Sequence, residues 1–193
     1  MENTTINVLI AGVGGQGTIL ASRVLGKYAL LCGKDCKISE IHGMSQRGGS
    51  VTTHLRMGEK IHSPVVWEGS ADMIIAFEEL EAARMAHYLK KDGILLVNEE
   101  RILPMPCITG AAVYPGDIKT QIGEIASGAK FIAAQEIAKE AGSEKATNIV
   151  MLGCICKLYG FDKDIMEEAV VACVPEKFKE VNVRAFRMGF ERV

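Results

Sequence analysis

The sequence is poor in aromatic residues, which make up 6% of its 193 positions, and it has no long apolar run and no excess of either charge. No stretch approaches the ~20 apolar residues that a helix needs to cross a bilayer. The 22 Lys and Arg and the 24 Asp and Glu give a formal net charge of -2, whereas a nucleic-acid-binding domain usually has a basic face or a high pI. The first residues also lack the basic region of a secretory signal. We therefore expect a soluble, cytoplasmic chain that binds neither nucleic acid nor membrane.

The six cysteines include no C-x-x-C pair. Cys154 and Cys156 have the closest spacing, but they lie in an apolar stretch with a helical pattern, where positions i and i+2 point to different sides. The usual ligand spacings of iron–sulfur clusters are missing, and a domain of this size does not need disulfides. We expect reduced thiols that are buried or half-buried, and no metal or cofactor held by this chain alone.

The pattern of apolar residues predicts an α/β fold. Hydrophobic residues make up 48% of the chain, which is enough for one full core and a single domain over residues 1–193. The apolar, β-branched run 6–11 is typical of a strand in a parallel sheet. Further strands are expected at 37–41, 50–57, 71–77, 94–97 and 111–114, with 50–57 at a sheet edge. Helices are expected at 18–31, 78–90, 118–125, 132–141, 146–159, 163–174 and 176–190. This order predicts a Rossmann-like, mostly parallel sheet with helices on both faces and a helical C-terminal third, which covers the sheet or reaches a partner.

A glycine-rich turn follows the first strand directly. Gly12, Gly14 and Gly17 fit G-x-G-x-x-G, and with Gly15 and Gln16 they form G-x-G-G-Q-G. Gly12 would permit the tight turn, Gly14 a close backbone approach, and Gly17 close packing of helix on strand. The N-terminus of the following helix offers N–H groups and partial positive charge to an anion. The motif therefore predicts an anion- or phosphate-binding turn.

Two alternatives for the glycine turn stay open. A dinucleotide site needs an acidic residue at the end of the second strand, about 20 residues further on. Asp35 lies at a suitable distance but precedes the predicted strand, whereas Glu40 lies near the strand's end but arrives late. The second alternative is that the glycines only permit a compact β–α turn.

A second loop is dense in glycine and hydrogen-bonding side chains, and its sequence is His42-Gly43-Met44-Ser45-Gln46-Arg47-Gly48-Gly49. Arg47 can hold a carboxylate or phosphate through two hydrogen bonds, and Ser45 and Gln46 can supply neutral donors and acceptors. His42 can transfer a proton near neutral pH. The alternative is an ordinary surface turn in which Arg47 makes a structural ion pair.

Together, the two loops resemble those of the gamma subunit of the pyruvate:ferredoxin oxidoreductase superfamily, most of all its indolepyruvate:ferredoxin oxidoreductase branch. The resemblance extends through 71–77, 93–98, Thr147-Asn148 and residues 182–186, and so covers nearly the whole chain. It implies an enzyme that oxidatively decarboxylates a 2-oxoacid, here indolepyruvate or another aryl pyruvate, joins the acyl group to coenzyme A and passes the electrons to ferredoxin.

The resemblance also implies how the work is divided. Thiamine diphosphate and [4Fe-4S] clusters belong to a large partner subunit, and this chain packs beside the thiamine site and assists coenzyme A binding. We therefore expect a hetero-oligomer in which this chain is not catalytic alone and meets ferredoxin only through the complex. The residues expected to contact coenzyme A are Gly12, Gly14, Gly15, Gln16, Gly17, Ser45, Arg47, Gly48 and Gly49. Those that could support the active site are His42, Ser45, Gln46 and Arg47. An independent nucleotide-dependent enzyme and a non-catalytic binding module remain as other functions.

Overall fold

The computed structural model describes residues 5–43 and 48–193, and its centre is a six-stranded sheet. The strands are β1 (Ile6–Val13), β2 (Asp35–His42), β3 (Ser50–Gly58), β4 (Ala71–Ala76), β5 (Leu89–Asn98) and β6 (Lys130–Ile132). Their order across the sheet is β2-β3-β1-β4-β5-β6. The pairs β1–β4, β4–β5 and β5–β6 are parallel, whereas β3 runs antiparallel to both of its neighbours. The predicted mostly parallel sheet is confirmed, with β3 as the one reversed strand in the described chain.

Helices cover both faces of the sheet, as predicted. They are α1 (Thr18–Leu31), α2 (Glu79–Met85), α3 (Met105–Ile108), α4 (Ile118–Ile125), α5 (Ala134–Glu140), α6 (Thr147–Tyr159), α7 (Lys163–Cys173) and α8 (Lys179–Arg192). Short 3-10 turns lie at Ala86–Tyr88, Glu144–Ala146 and Glu176–Phe178. One core joins the sheet to α1, α5, α6, α7 and α8, and a second core joins its other face to α2 and α4. No helix of the described chain has both the length and the apolar character needed to cross a membrane.

The helical C-terminal third is confirmed, and it covers one face of the sheet. Its helices α6 and α8 approach so closely that a Cβ on Gly153 would lie 2.1 Å from the Phe186 carbonyl oxygen. A Cβ on Gly189 would lie 2.2 Å from the carbonyl oxygen of Val150. Across the same contact the Cys154 thiol donates to the Gly189 carbonyl oxygen at 3.2 Å. The two glycines therefore allow backbone-to-backbone packing of these helices.

All six cysteines are free thiols. Cys154 and Cys156 are buried in α6, and burial raises the pKa of each to about 12. Such thiols stay protonated at neutral pH and pack in the core as small apolar groups.

Two strand assignments made from the sequence were wrong. Strand β3 lies inside the sheet between β2 and β1, so the edge on that side is β2. The alternation along β3 suggested an exposed face, but both faces of this strand are covered, and adjacent residues such as Thr53 and His54 are buried. Residues 111–114 form no strand, and the expected helical run from 117 onward is interrupted by the short strand β6.

The helix predicted at 78–90 ends at Met85, and β5 begins at Leu89. Leu89 pairs with Ala71 of β4, and the Lys90 ammonium bonds the Asp72 carboxylate on the same neighbouring strand. Lys90, which the sequence placed in a helix, therefore lies on a strand and has a partner across the sheet.

Candidate functional site

The glycine turn, residues 12–17, lies where the connections of the sheet change direction. Strand β1 leads into α1 on one face of the sheet, and its parallel neighbour β4 leads into α2 on the other face. In open α/β sheets the crevice at the carboxyl ends of such a strand pair is the usual position for a ligand. The fold thus places the glycine turn at the crevice where open α/β sheets usually bind a ligand.

Two glycines give the turn its backbone shape, and two make close contacts. Gly15 and Gly17 have φ values of +105° and +81°, a region that L side chains rarely adopt. A Cβ on Gly12 would lie 3.3 Å from Phe77 Cβ, and one on Gly17 would lie 2.6 Å from Asn148 Nδ2. Gly12 was expected to permit the tight turn, but it serves instead to allow close packing against Phe77. Gly17 was expected to let α1 pack on β1, but it packs against Asn148 of α6 instead.

The Gln16 side chain ties the turn to two other strands. Its Oε1 accepts from the Val13 amide at 2.7 Å, and its Nε2 donates to the Phe77 carbonyl and to Glu100 Oε2, both at 3.0 Å. Asn98 Nδ2 donates to the same two acceptors at 3.2 and 3.1 Å. Sequence reasoning missed Asn98 and Glu100. Their signal was a run of polar residues directly after the apolar stretch of β5.

The two glycine-bearing loops are joined directly, because the Gly14 amide donates to the Gly49 carbonyl oxygen at 2.9 Å. His42 is exposed at the end of β2, with its Nδ1 3.0 Å from the Gly43 carbonyl oxygen. Gly48 is exposed and Gly49 is half-buried just before β3. The predicted site residues Ser45, Gln46 and Arg47 lie outside the described residues.

Two clefts flank the turn, and Gly15 and Gly17 line both of them. The β2-side cleft, about 550 Å³, is also lined by Gly14, Thr18, Ile19, Glu40, His42 and Val51. The α6-side cleft, about 430 Å³, is also lined by Gln16, Phe77, Glu100, Glu144, Lys145 and Thr147. The fold therefore brings together Gly14, Gly15, Gln16, Gly17 and His42 at these two clefts.

The turn is open towards these clefts. No atom lies within 4 Å of a Cβ placed on Gly15, and no side chain of the described residues caps the N-terminus of α1. The N–H groups at a helix N-terminus suit an anion. The described lining has one lysine, Lys145, against the carboxylates of Glu40, Glu100 and Glu144. An anion here needs a further cationic group.

The strand order argues against the dinucleotide alternative. Glu40 does line the β2-side cleft, but β3 lies between β1 and β2. Strand β2 is thus two strand spacings, about 10 Å, from β1. In a dinucleotide-binding fold the second strand lies next to the first, and its terminal acid reaches the ribose.

Within residues 5–43 and 48–193, no three His, Cys, Asp or Glu side chains come together in a way that could hold a metal ion.

The family model for pyruvate ferredoxin/flavodoxin oxidoreductase matches residues 7–192. The chain belongs to this family. It is 42% identical over 188 residues to the indolepyruvate oxidoreductase subunit IorB of Thermococcus kodakarensis, covering 95% of this chain and 93% of the relative. It is 40% identical over 189 residues to the subunit of the same name from Pyrococcus horikoshii, again covering 95% and 93%.

Among solved structures, the fold matches the gamma subunit of a keto/oxoacid ferredoxin oxidoreductase from Geobacter sulfurreducens, with a TM-score of 0.71 and 28% identity over 96% of each chain. The resemblance inferred from the two glycine loops is confirmed. This member of the oxidoreductase family is a small subunit of a 2-oxoacid:ferredoxin oxidoreductase, and the independent nucleotide-binding enzyme is not favoured.

Proposed function

We propose that this chain is the small subunit of an indolepyruvate-type 2-oxoacid:ferredoxin oxidoreductase. The observation that carries the proposal is the full-length identity of 42% to a subunit named for indolepyruvate. The complete enzyme would convert an aryl pyruvate, coenzyme A and oxidised ferredoxin into acyl-CoA, carbon dioxide and reduced ferredoxin.

The partner is a large cytoplasmic subunit that carries thiamine diphosphate and [4Fe-4S] clusters, and ferredoxin meets the complex through it. Those groups supply the decarboxylation and the electron path. This chain supplies binding and positioning groups at the carboxyl edge of its sheet. Its six free cysteines fit a reducing compartment.

The glycine turn is the part of this chain that we propose contacts coenzyme A. A phosphate of coenzyme A would sit at the N-terminus of α1, where no described side chain caps the helix. The β2-side cleft provides about 550 Å³ beside it. Gln16 holds the turn to Phe77 and Glu100, so the backbone N–H groups are positioned before the ligand arrives.

The charge balance of the clefts points to the second glycine loop as the source of the missing cation. The described lining holds more carboxylates than cations, and a phosphate there would be repelled without a positive group. The Gly14–Gly49 hydrogen bond brings the end of the second loop to the turn. We therefore assign Arg47 to the phosphate, with His42, Ser45 and Gln46 supporting the shared active site.

Substitution of Arg47 tests this assignment. In the complex, Arg47→Ala should weaken coenzyme A use about thirtyfold, which corresponds to about 2 kcal/mol for a hydrogen-bonded charge. Arg47→Lys should recover only part of the loss, because lysine lacks the planar fork. The measurement is steady-state kinetics at varied coenzyme A, beside thermal unfolding of the lone subunit.

Arg23→Ala is the matched control, since Arg23 is exposed on α1, and it should leave the kinetics unchanged. If Arg47→Ala leaves coenzyme A use unchanged, or destabilises the lone subunit by several kcal/mol, Arg47 is not the phosphate-binding residue.

A further inference from the structure

One loop of the chain displays several apolar side chains and contains no charged residue of its own. It joins β5 to α4, and no charged residue occurs between Arg101 and Asp117. We call residues 102–114 the clasped loop. Four of its large apolar side chains are at least half exposed: Leu103 (52%), Met105 (66%), Ile108 (62%) and Val113 (91%). Elsewhere in the described chain exposed large apolar residues occur singly or in pairs, such as Ile19 and Leu30 on α1, which is ordinary for a protein surface.

A single buried oxygen closes this loop. Glu78 Oε1 accepts from the Ile102 amide at 3.2 Å and from the Tyr114 hydroxyl at 2.5 Å. The other carboxylate oxygen accepts from the Glu81 amide at 2.9 Å and so caps α2. Glu78 is 1% exposed. Both ends of the clasped loop are therefore fixed to the start of α2.

Arg101 adds a second tie at the base of the loop. Its Nε donates to Glu79 Oε2 at 2.6 Å, and its guanidinium lies 5.9 Å from the centre of the Tyr114 ring. Burial and the hydrogen bond to Glu78 raise the pKa of Tyr114, so its hydroxyl keeps the proton that it donates.

The interior of the loop is also ordered by its own backbone. The Ile108 amide donates to the Pro104 carbonyl at 3.1 Å, Thr109 to Met105 at 2.9 Å, and Ala112 to Pro106 at 3.0 Å. Compact loops of this length with adjacent ends are frequently functional. A surface already held in its bound shape loses little conformational entropy on binding.

The clasped loop leaves the sheet at the same edge as the glycine turn. Strand β5 runs parallel to β4, which runs parallel to β1, so their carboxyl ends share one edge. Glu100, just before the loop, and Phe77, just before Glu78, both line the α6-side cleft. A partner that covers this loop would therefore adjoin the site.

We propose that the clasped loop docks into an uncharged apolar groove of the large subunit, which seats that subunit beside the glycine turn. The proposal rests on the proposed function, which supplies the partner. The groove must lack charge because the loop offers none, and a charge buried against it would lose its hydration without a counter-ion. Several exposed apolar side chains on one ordered loop are typical of a protein–protein contact in soluble proteins.

The test uses the complex of this chain with its co-expressed large subunit. Ile108→Glu and Val113→Glu should each weaken the dissociation constant at least tenfold, as for the anchor residues of an interface. Leu30→Glu is the matched control, because Leu30 is 63% exposed near the end of α1, at the opposite edge of the sheet. It should leave the dissociation constant unchanged, and all three variants should unfold at the same temperature as the unmodified lone subunit.

A second variant tests the clasp without altering the exposed apolar surface. Tyr114→Phe removes the hydroxyl that Glu78 accepts, and it should weaken assembly about tenfold, in the range of one hydrogen bond to a charged group. The loop amides should also exchange faster with deuterium. Tyr159→Phe, on α6, is the control and should change neither quantity.

Three outcomes would overturn the proposal. If the large subunit binds every loop variant as tightly as the unmodified chain, the loop is not the contact, and the proposed function stands. If the loop variants only convert a homodimer of this chain into monomers, the partner that covers the clasped loop is a second copy of this chain and not the large subunit. If the unmodified chain does not bind the large subunit, the proposed function fails together with this inference.

Discussion

At the residue scale, His54 is a buried neutral group that makes stability depend on pH. It is 5% exposed, its Nδ1 accepts from the Val66 amide at 3.1 Å, and its ring meets Tyr88 edge-on. Desolvation lowers the pKa of His54 in the folded chain. As pH falls below the usual histidine value of about 6.5, the unfolded state takes up the proton first, so the free energy of unfolding falls.

We expect the free energy of unfolding to be highest above pH 7 and to decrease as the pH falls from 7 to 5. His54→Phe keeps a ring beside Tyr88 but removes the titrating group. The free energy of unfolding of this variant should therefore decrease less between pH 7 and pH 5. His62→Phe, at an exposed position, should show the same decrease as the unmodified chain. Denaturant unfolding at each pH measures the free energy of unfolding of the three proteins. If this free energy changes equally with pH in all three, His54 is not the titrating group.

Gln16 is the second residue whose role can be isolated. Gln16→Glu keeps the oxygen that accepts from Val13 but replaces a donor with an oxygen facing Phe77 and Glu100. The lost hydrogen bonds and the like charge should lower the free energy of unfolding by about 2–3 kcal/mol. Gln121→Glu beside Asp117 on the exposed face of α4 should cost only about 0.5 kcal/mol. Similar losses in the two variants would show that Gln16 does not hold the turn.

At the scale of elements, the contact between α6 and α8 depends on two glycines. Gly153→Ala places a methyl group against the Phe186 carbonyl and the Phe190 amide, and backbone cannot move aside as a side chain can. We expect a loss of about 3 kcal/mol in unfolding free energy. Gly123→Ala makes the same change in α4, where nothing lies within 4 Å of the new Cβ. It should stabilise the chain by about 0.5–1 kcal/mol. Denaturant unfolding measures both, and a neutral Gly153→Ala would contradict the packing described.

The elements that the sequence predicted well are those with local signals. The bounds of α1 and α4 match the prediction at both ends, because the apolar spacing that predicts them lies within each segment. The start of β5 and all of β6 depend instead on pairing with other strands. The glycine turn was predictable from one motif. Asn98 and Glu100 were not, since Glu100 is 84 positions from the Gln16 that it contacts.

At the scale of the whole molecule, the features that we propose act with the partner share one edge of the sheet. The glycine turn, both clefts and the clasped loop lie at the carboxyl ends of β1, β4 and β5. The described residues there offer few cations to an anion. The proposed function assigns the chemistry to the large subunit, so we expect neither subunit to be active alone.

The most direct test of this expectation is reduction of ferredoxin by indolepyruvate and coenzyme A, measured with the large subunit alone, with this chain alone, and with both. We expect activity only when both are present, and we expect it to saturate at a fixed ratio of the two chains. Full activity of the large subunit in the absence of this chain would contradict it.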